Sequence, residues 1–293
     1  MNRKDFISQA ALLAAFWKIQ TSNSMQSLLN LPDTEHTMPA LFVGHGSPMN
    51  AIEQNEFTQK WAQLGQSLPK PAIILCISAH WETYGTQITA MDKPKTIHDF
   101  GGFPQALFDV EYPAPGSSTF ANKTHEENQS IALDQRWGLD HGCWSILNTM
   151  YPKADIPVLQ LSLDVNKTPQ QHFEMAKTLM SLRKKGVLIL GSGNMVHNLG
   201  RVAWDKMSLP EYGFDWAIQA NTEMKSAIAN HNLDILTNYS KQGAAWNLAI
   251  PTPEHYLPLL YTLGVKSEKD NLQWFNDKAI MGSLTMTSFV LES

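Results

Sequence analysis

Two apolar runs in this chain each deliver a histidine at their C-terminal end, and nothing else in the sequence restricts the fold as strongly. Ala40-Leu41-Phe42-Val43-Gly44 is bounded by Pro39 and runs into His45-Gly46-Ser47-Pro48. Ile73-Ile74-Leu75-Cys76-Ile77-Ser78-Ala79 runs directly into His80 and Trp81. Short apolar runs closed by Gly, Pro or polar residues read as buried strands. In an open α/β sheet the C-terminal edge of the strands is where ligands bind. Two strands that each present an imidazole there make a metal site the first chemistry to test.

The rest of the chain alternates in the same way. Apolar runs at 87–91, 156–163, 187–190 and 283–291 read as further strands. Helical spacing covers 53–68, 118–129, 145–150, 169–184 (with Thr168 as N-cap), 214–230, 233–239 and 251–263. This predicts one three-layer α/β domain over 38–293, with a mostly parallel or mixed central sheet flanked by helices. The segment 97–116 is rich in Gly, Pro and aromatic residues, and a loop of that length inside a compact domain is usually functional.

With 43% hydrophobic residues and a net charge of -5, the chain can bury a large core and lacks the basic footprint of a nucleic-acid binder. Its two cysteines, Cys76 and Cys143, cannot form a disulfide framework, and Cys76 reads as a buried, inert thiol. Residues 1–37 read as an extension. Arg3-Lys4 followed by Ala10-Ala11-Leu12-Leu13-Ala14-Ala15-Phe16-Trp17 is either a surface helix or a degenerate twin-arginine-type export signal, and it is too short to span a bilayer. The first option gives a cytoplasmic location, the second an exported one. No transmembrane segment is expected, and the assembly is expected to be a monomer or small homo-oligomer.

Of the ten histidines, His45, His80 and His197 follow predicted strands, His255 opens a helix, and His141 sits in a turn rich in Gly and Trp. His36, His125, His172 and His231 read as surface residues. There is no His-x-x-x-His and no Cys-x-x-Cys, so spacing alone leaves the ligand set open, with Glu254 a possible carboxylate ligand. Asp99 and Asp140 are candidates to fix imidazole tautomers from behind. Gly191-Ser192-Gly193-Asn194 lacks the dinucleotide and phosphate-loop fingerprints and reads as a strand-end turn that admits His197 to the site. No Gly-x-Ser-x-Gly elbow accompanies Ser78-Ala79-His80, which argues against a serine nucleophile.

Several motifs together resemble one family. Gly44-His45-Gly46-Ser47-Pro48-Met49-Asn50, Ser78-Ala79-His80-Trp81, Ile97-His98-Asp99-Phe100-Gly101-Gly102-Phe103-Pro104, Tyr112-Pro113-Ala114-Pro115-Gly116, Asp140-His141-Gly142, Ser192-Gly193-Asn194-Met195-Val196-His197-Asn198-Leu199 and Pro251-Thr252-Pro253-Glu254-His255 resemble the bacterial 4,5-DOPA extradiol dioxygenases. These are class III extradiol enzymes related to the catalytic subunit of protocatechuate 4,5-dioxygenase. The resemblance runs in order from about Met38 to the C-terminus.

It implies one divalent metal at His45, His80 and His255, with His197 a fourth ligand or the acid/base and His141 the second acid/base candidate. It implies Fe(II) for turnover, with Zn(II) a common occupant. A small catechol such as DOPA and O2 are the implied partners, with 4,5-cleavage to a semialdehyde. His98, Asp99, Phe100, Phe103 and Tyr112 are expected to line and cover the substrate. Gly44 and Gly46 are expected to keep the metal's open face clear. Cys143 departs from the small polar residue expected there, which bears on the pocket wall. A zinc hydrolase on the same histidines and a non-catalytic binding protein resembling the Memo proteins are the alternatives.

Overall fold

The strands predicted to carry the histidines lie close together in one six-stranded sheet. The computed structural model describes residues 37–293; the readings made for the N-terminal extension, and for His36, lie outside the described residues. The strands are β1 (Ala40–Gly44), β2 (Ile73–Ser78), β3 (Val158–Gln160), β4 (Val187–Gly193), β5 (Asn271–Phe275) and β6 (Ser288–Glu292). Their order is β3-β2-β4-β1-β6-β5. The first four are mutually parallel, while β6 runs antiparallel to both β1 and β5. The sheet is mixed and mostly parallel.

Every residue of β1, β2 and β4 is buried, as a sheet covered on both faces requires. Alternate side chains feed two separate cores. Phe42, Leu75, Ile77 and Ile189 pack with the helices α3 (Pro169–Lys177), α4 (Asp215–Ala229) and α5 (Leu257–Gly264). Leu41, Val43, Ile74, Cys76 and Leu190 pack on the other face with α1 (Glu56–Ser67) and α2 (His141–Met150). Each large apolar side chain buried in this way contributes roughly 1.5–3 kcal/mol. The result is three layers.

Several local readings change. β4 continues through Gly191, Ser192 and Gly193, so the glycine-rich stretch is strand and not turn. Those glycines let α5 press onto the sheet, since a Cβ on Gly191 would lie 2.5 Å from the Pro258 carbonyl oxygen. The helix expected over 169–184 stops at Lys177 and tightens into a 3-10 segment, Met180–Lys185, closed by Gly186 at φ 79°. The strand expected at 87–91 is Thr86–Thr89, and it pairs with Ile131–Asp134 outside the main sheet. Edge strand β5 has only one buried residue, so no continuous apolar run marks it in the sequence. His172, read as a surface residue, is buried, and its Nδ1 lies 3.0 Å from the Tyr261 hydroxyl.

Candidate metal centre

β1 and β2 end side by side with β4 between them, and the site grows from those three ends. The His45 backbone is fixed twice: its N–H donates to the Gly193 carbonyl (3.1 Å), and its carbonyl accepts from Asn50 Nδ2 (3.0 Å). The His80 N–H donates to Ser78 Oγ (3.2 Å). His255 arrives from the segment before α5, and its carbonyl accepts from Asn194 N (2.8 Å) at the end of β4. That approach requires glycine at 193, where a Cβ would lie 2.1 Å from the His255 oxygen.

Gly44 and Gly46 serve a different purpose from the one expected. A Cβ on Gly44 would meet the Met286 backbone at 2.8 Å, and Gly46, at φ +61°, faces the Met286 side chain. Both make room for the C-terminal segment crossing over β1; neither reading involves the open face of a metal.

The rings of His45, His80 and His255 form a nearly equilateral triangle, with centroid separations of 5.0, 5.3 and 5.1 Å. Nε2 of His45 and Nε2 of His80 are 3.2 Å apart. Two nitrogens each about 2.1 Å from one ion, at an angle near that of a tetrahedron, stand roughly 3.2–3.4 Å apart. On the reverse side of each ring, Nδ1 faces an acceptor: Ser192 Oγ for His45 (3.0 Å), Asp99 Oδ2 for His80 (3.4 Å) and Glu254 Oε1 for His255 (3.1 Å). An imidazole held at Nδ1 offers its Nε2 lone pair, the arrangement common behind metal-ligating histidines. Donor set and geometry therefore fit a divalent ion of the kind that imidazoles bind.

Burial, followed by the surrounding imidazoles, lowers the pKa of His45 and His80 well below the ordinary histidine value. His255 is also lowered by burial, against an opposing pull from Glu254. The three rings are thus neutral at neutral pH, the form a metal needs. Burial raises the Glu254 carboxyl, but the hydrogen bond from His255 and further donors, among them Thr252, override it and bring it to about 2.

Two more histidines flank the triangle. His141 lies over His80 with centroids 3.9 Å apart, and its Nδ1 stands 3.0 Å from Asp99 Oδ2. Its backbone N–H donates to Asp99 Oδ1 (2.9 Å), so one carboxylate serves both His80 and His141. On the opposite flank His197 stacks flat on His255, 3.5 Å apart at 7°. Burial and the neighbouring His255 push its pKa down to about 3.

The predicted substrate segment divides. Phe100 meets His141 edge-on at 5.5 Å, and Phe103 packs on Phe100 at 5.4 Å. His98 holds the segment by donating from Nε2 to the Val110 carbonyl (3.0 Å). Tyr112 does not join them: it is buried in the α1/α2 core, and its hydroxyl donates to the Tyr151 carbonyl (3.1 Å). Cys143 is also enclosed in that core and forms no pocket wall, and burial pushes its thiol up as it does that of Cys76.

Among the described residues no hydrogen bond joins Asp140 to an imidazole nitrogen. Asp140 caps α2 at Cys143 N (3.2 Å) and accepts from Ser78 Oγ (2.6 Å) and Gln160 Nε2 (2.6 Å). It caps α2 one full turn earlier than expected, which puts His141 in the first turn of the helix and not in a loop. Ser78 and Ser192, given no supporting role in the sequence, sit in register on β2 and β4. A hydroxyl at the end of an otherwise apolar buried strand must find a partner, and that was the signal available.

Residues 36–288 match the family described as the catalytic LigB subunit of aromatic ring-opening dioxygenase. A 4,5-DOPA dioxygenase extradiol of Escherichia coli K12 is 47% identical over 260 residues, which covers 86% of this chain and 93% of the relative. One from Beta vulgaris is 34% identical over 262 residues, covering 86% and 96%. The crystal structure of an uncharacterized protein of Escherichia coli K12 superposes with a TM-score of 0.73 at 41% identity, over 86% of this chain and 99% of that one. The chain therefore belongs to the LigB family and is an extradiol aromatic ring-opening dioxygenase, a homologue of the 4,5-DOPA dioxygenases.

Proposed function

We propose that the substrate is a catechol of the DOPA type, opened between carbons 4 and 5 at one Fe(II) ion held by His45, His80 and His255. The observation that carries this is the triangle of imidazoles with all three Nδ1 atoms facing acceptors. The names of the relatives from Escherichia coli and Beta vulgaris support the choice of catechol. Zinc binds such donors but has no redox chemistry, so iron is assigned to turnover and zinc to adventitious occupancy. When bound, the ion supplies a Lewis acid for the two ring oxygens and an electron relay to dioxygen.

The chain supplies the rest. Phe100 and Phe103 form an apolar wall beside His141, suited to the face of an aromatic ring and to exclusion of water. The reaction needs a base for a catechol proton and an acid at O–O cleavage; a neutral imidazole can take up the first proton and return it at the second step. His197 is the first assignment, with His141 the second. The flat stack of His197 on His255 aims the two ring planes in parallel and not at one point, which supports acid/base duty over a fourth ligand position. Glu254 is assigned to the back of His255, outside the ligand set.

Both atoms of dioxygen end in the product, a ring-opened acid bearing an aldehyde. Anaerobic purification, Fe(II) loading and oxygen uptake with DOPA and a panel of catechols tests the reading. A yellow product and one O2 consumed per catechol are expected. Background uptake across the panel would contradict it, and a His197→Ala variant with full metal content and full rate would remove its acid/base role.

A further inference from the structure

The Ser192 hydroxyl has a single proton and two polar neighbours. Its Oγ lies 2.5 Å from the Gly142 carbonyl oxygen and 3.0 Å from His45 Nδ1. A carbonyl oxygen can only accept, so the hydroxyl proton is committed to Gly142. Oγ is then left as an acceptor, and the contact with His45 is satisfied only if Nδ1 carries the imidazole proton.

From this relay we propose that Ser192 is a positioning residue which fixes His45 in its Nδ1–H tautomer and so keeps the Nε2 lone pair on the metal side. The proposal rests on the reading of His45 as a metal ligand. It differs from the devices behind the other two ligands, because His80 and His255 each have a carboxylate at Nδ1 while His45 has a neutral hydroxyl.

Each end of the relay is rigid. Ser192 lies in β4 in register with Val43 on β1 and Ser78 on β2, and it is fully buried, so water does not replace it. Gly142 is in the first turn of α2, wedged so tightly that a Cβ there would lie 2.4 Å from Ser78 Oγ and 2.8 Å from His80 Cδ2. The turn that presents the Gly142 carbonyl is itself capped by Asp140. One helical turn thereby sets the orientation of His45 through Ser192 and abuts His80 directly.

The test reads tautomers and metal affinity in the full chain. Long-range proton–nitrogen spectra of metal-free, histidine-labelled protein report which ring nitrogen of His45 is protonated, with His45→Ala assigning the signal. Zn(II) affinity is measured by competition with a chromophoric chelator. We expect Nδ1–H in the unmodified chain. In Ser192→Ala we expect mixed tautomers at His45 alone and Zn(II) binding weakened about 10–100-fold. Ser192→Thr, which keeps a hydroxyl, should retain the Nδ1–H form.

An Nε2–H signal in the unmodified chain overturns the proposal, and that reading requires no Ser192 variant to fold. A Ser192→Ala protein with unchanged tautomer and unchanged affinity overturns it as well. Should His45→Ala bind Zn(II) as tightly as the parent, the metal assignment of His45 itself fails. Loss of Zn(II) in His45→Ala beside full affinity in Ser192→Ala removes only the role of Ser192.

Discussion

The two ends of the parallel strands treat buried polar groups in opposite ways. At the N-terminal end, Arg183 is fully buried, and all its N–H groups are used. Nε donates to the Met38 carbonyl (2.7 Å), Nη1 to Val265 O (2.7 Å) and Asp270 Oδ2 (2.5 Å), and Nη2 to Asp270 Oδ1 (2.9 Å) and Leu291 O (3.3 Å). At the C-terminal end His45 and His255, both buried, and His80, partly so, bring one ring nitrogen each to within 4.8 Å of the others, and the Nε2 atoms of His45 and His80 face each other at 3.2 Å. A buried cation with every donor satisfied fixes the β1, β4 and β6 strand ends in place. A cluster of neutral donors facing one point is poorly satisfied until something binds there. The same sheet carries structure at one edge and chemistry at the other.

That contrast is sharpest in the response to acid. The pKa values of His45, His80, His197 and His255 are lowered in the fold by burial, while the unfolded chain titrates near 6.5. Below that value the unfolded state binds more protons than the folded one, so stability falls as pH falls. Each imidazole contributes up to about 1.4 kcal/mol per pH unit, until its folded pKa is reached. Asp270 behaves differently: burial opposes it, but the Arg183 hydrogen bond holds its pKa below the ordinary carboxylate value. Its contribution is complete above about pH 4 and is lost only as pH drops through the folded pKa. Denaturant midpoints of metal-free protein should therefore decline from pH 7 to pH 5. A flat profile over that interval would erase the distinction between the two ends.

Arg183→Ala comes next in size. It leaves the Asp270 carboxylate and three carbonyls buried without their donor and should destabilise the fold by about 3–5 kcal/mol, with ring-opening per folded molecule unchanged. Chemical unfolding and active-site-normalised rates check both halves. Gly193→Ala acts at the opposite end, forcing a Cβ against the His255 carbonyl. It should lower stability by roughly 1–3 kcal/mol and weaken metal binding more than Arg183→Ala does. The smallest effect is expected from Phe100→Ala, which removes an edge contact to His141 worth about 0.5–1.5 kcal/mol. That change should raise KM for catechol several-fold and leave metal content intact, as steady-state kinetics and iron assay would show.

Much of this organisation was legible from residue order. The β1 and β2 runs are continuous apolar stretches that end in His45 and His80, so strand identity and the placement of two imidazoles follow from periodicity and the sheet-edge rule. The α/β alternation follows in the same way. Residues joined only by the tertiary fold were not legible. Ser192 lies 147 positions from His45, and Asp99 lies 42 positions from His141, so no local spacing announces either contact. Gly44 and Gly46 adjoin His45 in the sequence, whereas Met286, which requires them to be glycine, is far along the chain. Tyr112 is an aromatic residue in a loop rich in aromatics; only the position of the Tyr151 carbonyl reveals that it faces the core.

The most direct test is Fe(II) binding under anaerobic equilibrium dialysis, comparing the unmodified chain with His255→Ala. Unlike His45 and His80, His255 comes from outside the strand ends, so its substitution asks whether the third corner of the triangle is a ligand. The triangle predicts one Fe(II) per unmodified chain and a loss of affinity of at least about 10²-fold in the variant, with the fold retained. Full stoichiometry and undiminished affinity in His255→Ala would contradict the assignment of the metal to these three histidines.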